Sequence, residues 1–136
     1  MKRKCKIVRR IKGCKVEILV DAETMNEIFD YIGESDRRKK KFLDIVKIIM
    51  EGLHNRHLYR REGFDAETKD ITAMRLHVGQ ENDRIYCKEI SRKDSEGESI
   101  KVVIMGILHF HKETRKQSEE EKRLIKKLAK YEYDIE

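Results

Sequence analysis

Residues 100–109 read Ile-Lys-Val-Val-Ile-Met-Gly-Ile-Leu-His. Every position from Val102 to Leu108 is apolar or glycine, so neither face of this segment suits water. A run of this length is a strand covered on both sides, at the centre of a sheet rather than at its edge. It empties directly into His109-Phe110-His111-Lys112-Glu113-Thr114-Arg115-Lys116. A buried strand that delivers two histidines and several cations to its end is one way to build a phosphate-binding site.

The rest of the chain supplies neighbours for that strand. Its 136 residues fit a single domain spanning 1–136. Residues 4–10 and 14–20 read as two short strands joined by a turn at Lys12-Gly13. Asp21 is a helix cap, followed by Met25, Ile28, Phe29 and Ile32 on one face and Gly33 at the end. Ser35 or Asp36 caps a second helix whose stripe is Phe42, Ile45, Val46, Ile49 and Leu53. So short a connection makes the pair an αα-hairpin.

Residues 55–70 are polar and mixed, a loop with a short strand. Strands follow at 71–77, 84–90 and 100–109, separated by turn-forming clusters. The last helix starts at Ser118, which forms a capping box with Glu121. Glu119, Glu120 and Glu121 stand at its positive end, Lys126, Lys127 and Lys130 toward its negative end. Its buried stripe is Leu124, Ile125, Leu128 and Tyr131. The expected fold class is α+β: a mostly antiparallel sheet carrying an N-terminal hairpin, the αα-hairpin and a C-terminal helix.

Charge narrows the partner. With 43% charged residues and a formal net charge of +6, the chain suits a polyanion such as nucleic acid or an acidic protein segment. The cysteines Cys5, Cys14 and Cys87 are odd in number and form no CxxC pair, which favours reduced thiols. Cys5 and Cys14 could face each other across the N-terminal hairpin, which spacing alone does not decide. No apolar stretch approaches the roughly 18 residues that span a bilayer, and no signal segment follows the basic Met1-Lys2-Arg3-Lys4. A cytoplasmic protein without membrane contact is expected.

On the strand at 71–77, Ala73, Arg75 and His77 share one face; on the next, Arg84, Tyr86 and Lys88 share one. If the apolar sides meet the helices, Arg75, His77, Arg84, Tyr86 and Lys88 line an exposed face, with guanidinium for phosphate and ring for base. His109, His111, Lys112, Arg115 and Lys116 add a further side. Cleaving RNA needs a base for the 2′-hydroxyl, cations for the phosphate oxygens and an acid for the leaving oxygen, and histidine suits the proton transfers. His109 and His111 share a face, but no third ligand stands at a diagnostic spacing, and His54 with His57 is a loose pair. No metal and no cofactor are expected. Nucleophile-elbow, P-loop, dinucleotide and zinc-protease motifs are absent. Arg37-Arg38-Lys39-Lys40-Lys41, in the first turns of the second helix, opposes the helix dipole and suits a docking surface.

Two segments carry a resemblance to a known family. Ile71-Thr72-Ala73-Met74-Arg75-Leu76 with Asp83-Arg84-Ile85-Tyr86-Cys87-Lys88, and residues 102–116 with the charged helix after them, resemble the RelE/ParE toxin superfamily of bacterial toxin–antitoxin modules, including its HigB-like branch. The αα-hairpin stands where that family has one. The resemblance implies a RelE-like fold and a metal-independent mRNA endonuclease acting on translating ribosomes, neutralised by, and dimerising through, a partner antitoxin. It implies that Arg75 and Arg84 clamp the scissile region, that His111 and Lys112 stand at its phosphate-contacting and proton-transfer positions and that Lys116 is its later lysine; the residue pattern itself adds His109 for proton transfer and Lys88, Arg115 and Tyr86 for RNA or phosphate. Tyr131 or Tyr133 stands in for a C-terminal tyrosine. Glu113 replaces a second lysine, Gln117-Ser118 replaces the usual proline, and the N-terminal hairpin exceeds the family's single strand. Some members instead inhibit DNA gyrase without cleaving anything, a role in which residues 37–41 would matter more. A basic RNA-binding module without cleavage is the third reading.

Overall fold

The computed structural model describes residues 2–76, 83–109 and 119–135. The fold is α+β. In chain order the elements are β1 (Arg3–Arg9), β2 (Val16–Asp21), α1 (Met25–Gly33), α2 (Asp36–Met50), β3 (Tyr59–Arg61), β4 (Ile71–Met74), β5 (Arg84–Lys93), β6 (Ser99–His109), α3 (Glu119–Lys130) and β7 (Tyr133–Asp134). The strands form one sheet in the order β3-β4-β5-β6-β2-β1-β7. β6 is central, as its two apolar faces require.

The sheet is mixed. β6 pairs antiparallel with β5 but parallel with β2, and β7 runs parallel to β1. β2 and β6 are far apart in the chain, separated by α1, α2 and β3–β5, and so can lie parallel, which strands joined by a tight hairpin cannot. Neither β7 nor the parallel pairs follow from strand periodicity, which carries no information about which strand lies beside which.

Each face of the sheet has its own cover. Ile28, Ile45 and Ile49 of α1 and α2 pack with Ile18, Val20, Ile85, Cys87, Val103 and Met105 on one side. Ile125 and Leu128 of α3 pack with Leu19, Ile71, Tyr86, Val102 and Ile104 on the other. Full burial of each large aliphatic side chain contributes about 1.5–3 kcal/mol. The open face expected for Arg84, Tyr86 and Lys88 is therefore closed: it is the face α3 occupies, because a central strand apolar on both sides leaves two faces to bury. Gly106 permits the close approach. A Cβ there would press on Leu128 of α3, and the ladder between β5 and β6 shifts register at this point. Its carbonyl accepts a 2.8 Å bond from the Thr24 hydroxyl, just before α1.

Helix ends follow local chemistry with two corrections. Ser35 caps α2, its Oγ accepting the Arg38 amide at 3.1 Å. Asp21 does not cap α1; Thr24 holds that position, its hydroxyl turned to Gly106 and making no capping bond to the helix. The Asp21 carboxylate is fully buried and accepts from Tyr133 at 2.8 Å and Arg3 at 2.7 Å. α2 stops at Met50, so Leu53 leaves the stripe and is 57% exposed. Gly52 at φ 68° donates to Ile49, and Leu53 donates back to Ile48, a Schellman closure that only a left-handed residue makes cheaply. Cys5 pairs in register with Asp21, away from Cys14, and burial beside Asp21 and Asp134 pushes its thiol up to about 12. Ser118 of the expected capping box lies outside the described residues.

Candidate phosphate-binding site

The site forms where β3, β4, β5 and β6 end together on the α3 side. Register sets it. Met74 stands opposite Ile85, which places Arg75 beside Arg84, and Arg84 pairs with His109 across β6. Arg60 of β3 pairs with Ala73, and the alternation of strands puts it on the same face as Arg75. Four neighbouring strands thus contribute three guanidiniums and one imidazole.

Glu62 sits among the guanidiniums. Its carboxylate, 7% exposed, lies 3.3 Å from Arg60 Nε and 3.6 Å from Arg84 Nε. At Arg75 the positive charge is poorly compensated. Burial, then the like charges of Arg84 and Arg60, lower its guanidinium to about 10, and Glu62 only partly opposes them. Arg75 Nε is buried and has no hydrogen-bond partner among the described residues. A guanidinium held this way gains from an anion that supplies the missing acceptor.

α3 closes the other side. The Tyr86 ring is fully buried, stacks on His109 at 6.1 Å between centroids and donates its hydroxyl to Glu121 at 3.4 Å. Burial, with Glu121 nearby, pushes that hydroxyl up. His109 is 9% exposed, with Nε2 4.0 Å from Glu120. The acidic first turn of α3, placed by its helix dipole, thus lies against the histidine.

Of the expected site residues, Arg75, Arg84 and His109 come together. Tyr86 is adjacent but buried, so it orders the histidine rather than offering a ring to a base. Lys88 is engaged elsewhere. Its ammonium donates to the carbonyls of Ala129 at 2.9 Å and Tyr131 at 2.6 Å, capping the end of α3. Burial lowers its pKa. Tyr133 is bound to Asp21, and the Tyr131 ring lies under Arg3 at 4.0 Å, so both belong to the β1–β7 corner. Arg38 is not part of an open basic patch; it donates to the Tyr31 carbonyl at 3.0 Å and to Glu34 at 2.8 Å. His77, His111, Lys112, Glu113, Arg115 and Lys116 lie outside the described residues, on the segments that leave Leu76 and His109.

Arg60 and Glu62 are the members that strand-by-strand reading missed. The only signal was Leu58-Tyr59, an apolar pair ahead of Arg60-Arg61-Glu62 and Gly63 within a region otherwise polar. Among the described residues no three metal-ligating side chains gather. The arrangement can hold a phosphodiester by charge and position a histidine beside it. The chain matches no protein-family model, no curated protein and no solved structure.

Proposed function

We propose that this chain is a RelE-like toxin, a metal-independent endoribonuclease that cuts mRNA on the ribosome and is held in check by a partner antitoxin. The observation that carries the reading is the cluster of Arg60, Arg75, Arg84 and His109 at one end of the sheet, with unbalanced positive charge at Arg75. An αα-hairpin followed by four mutually antiparallel strands, β3–β6, and a further helix is compatible with it.

In this reading Arg75 and Arg84 hold the non-bridging oxygens of the scissile phosphate, where charge grows as the 2′-oxygen attacks phosphorus. His109 or His111 takes the 2′-hydroxyl proton, the bond from phosphorus to the 5′-oxygen breaks, and that oxygen receives a proton. The products are a 2′,3′-cyclic phosphate and a 5′-hydroxyl. Lys112, Arg115 and Lys116 add cations from the segment that follows β6.

The test is an active translation reaction with a defined mRNA. Wild-type protein is expected to cut the message only when ribosomes are present, and Arg84→Ala to slow cutting about a hundredfold to a thousandfold. An intact message in the presence of wild-type protein sinks the proposal. The enclosure of His109 under α3 favours a second reading, RNA binding without cleavage. That reading predicts salt-dependent RNA binding with no cut ends at any protein concentration.

A further inference from the structure

Between β3 and β4 the chain makes a tight loop that presents one aromatic ring to solvent. Thr68 is fully buried, and its hydroxyl accepts the amides of Phe64 at 3.0 Å and Asp65 at 3.1 Å. The same hydroxyl donates to the Asp65 carboxylate at 2.8 Å. Gly63 is required here, because a Cβ would collide with the Thr68 carbonyl oxygen. The loop is therefore braced, and what it holds out is Phe64, 38% exposed in a chain that buries most of its large apolar side chains.

The ring stands among cations. Lys122 Nζ and Lys126 Nζ of α3 lie 5.9 Å and 5.7 Å from its centroid. Lys122 also pairs with Glu119 at 4.0 Å, an exposed contact that costs little to exchange. Two positions before Phe64 stands Glu62, the carboxylate among the guanidiniums of the candidate site. An exposed ring flanked by ammoniums and continuous with an arginine cluster is the combination that single-stranded nucleic acid uses: a base on the ring, phosphates on the cations. A duplex base has no free face to offer, and the carboxylates of an acidic protein segment would meet the cations but leave the ring unused.

We infer that Phe64, with Lys122 and Lys126, forms a base-stacking subsite for single-stranded RNA beside the arginine cluster. The inference rests on the RNA-directed reading of that cluster but not on cleavage. The probe is a short single-stranded RNA with 2′-O-methyl riboses, which cannot be cut through a 2′-hydroxyl, carrying one 2-aminopurine. Stacking on Phe64 is expected to quench the probe. Phe64→Ala should abolish the quenching and weaken binding about fivefold to a hundredfold, the range for loss of one stacked base, with the salt slope unchanged. Phe64→Trp should restore both, and its indole, in a chain without other tryptophan, should be quenched by unlabelled RNA. Lys122→Gln with Lys126→Gln should instead lower the salt slope by about 1.4.

Two results overturn the subsite: no binding of the probe, or a folded Phe64→Ala protein that binds and quenches as wild type does. An mRNA cut normally by Phe64→Ala with unchanged probe binding removes the subsite and leaves the endonuclease standing. Phe64-dependent quenching in a protein that never cuts mRNA does the reverse.

Discussion

β5 carries an arginine–carboxylate cluster at each end, and the two are built differently. Toward its C-terminal end, Glu17 is 1% exposed and clamped by two arginines. Arg92 reaches it at 2.7 and 3.0 Å, Arg10 at 2.6 and 3.3 Å. Burial pushes the Glu17 carboxyl up, but the bonds to Arg92 and Arg10 outweigh it, and the net shift is down. At the start of β5, Arg60 and Arg84 lie 3.3 and 3.6 Å from Glu62, and at Arg75 burial, then the like charges of Arg84 and Arg60, outweigh Glu62. The first cluster is saturated by its own bonds, as a structural pin should be. The second leaves the charge of Arg75 half-buried beside two like charges, which costs stability and which the proposed anion would relieve.

Three measurements bear on that contrast. The largest effect is expected at the saturated end: Arg92→Met breaks a bidentate pair to a buried carboxylate and should lower unfolding stability by about 2 kcal/mol, below the 3–5 kcal/mol of a fully buried pair because the arginine is partly exposed. Denaturant titration reads this, and a loss near zero would mean the clamp is ornamental. At the other end Arg75→Met should be neutral or stabilise the fold by up to about 1 kcal/mol, since it removes a poorly paired, half-buried charge, while weakening RNA binding. A clear loss of stability there would show that the two ends are alike after all.

The smallest effect is acid sensitivity. The pKa of Glu17 is lowered in the folded state, so the stability it contributes is full above the ordinary glutamate range and disappears as pH falls through the lowered value. Melting curves taken on acidification should therefore fall more steeply for wild type than for Glu17→Gln. Parallel curves would assign the acid response to other carboxylates.

The local elements were legible in the chain because their causes are local. Ser35 precedes a helical stripe, Gly13 and Gly97 take positive φ in turns, and the alternation in β2 and β5 marks strands. Arg75 and Arg84 were legible as neighbours because they stand on consecutive strands, which lie side by side more often than not. Lys88 was misplaced because its sequence shows which face it lies on but not what covers that face. Arg60 and Glu62 went unnoticed because three residues of strand carry little periodic signal.

What the sequence determined by itself is the kind of each element and the centrality of β6, because backbone propensity, capping and a two-sided apolar run depend only on near neighbours. Tertiary structure alone decided that β2 lies parallel to β6, that α3 rather than solvent covers Arg84, Tyr86 and Lys88, and that Arg60 joins Arg75 and Arg84 around Glu62. These depend on which distant surfaces bury each other, a choice made by the whole core at once and written in no single segment.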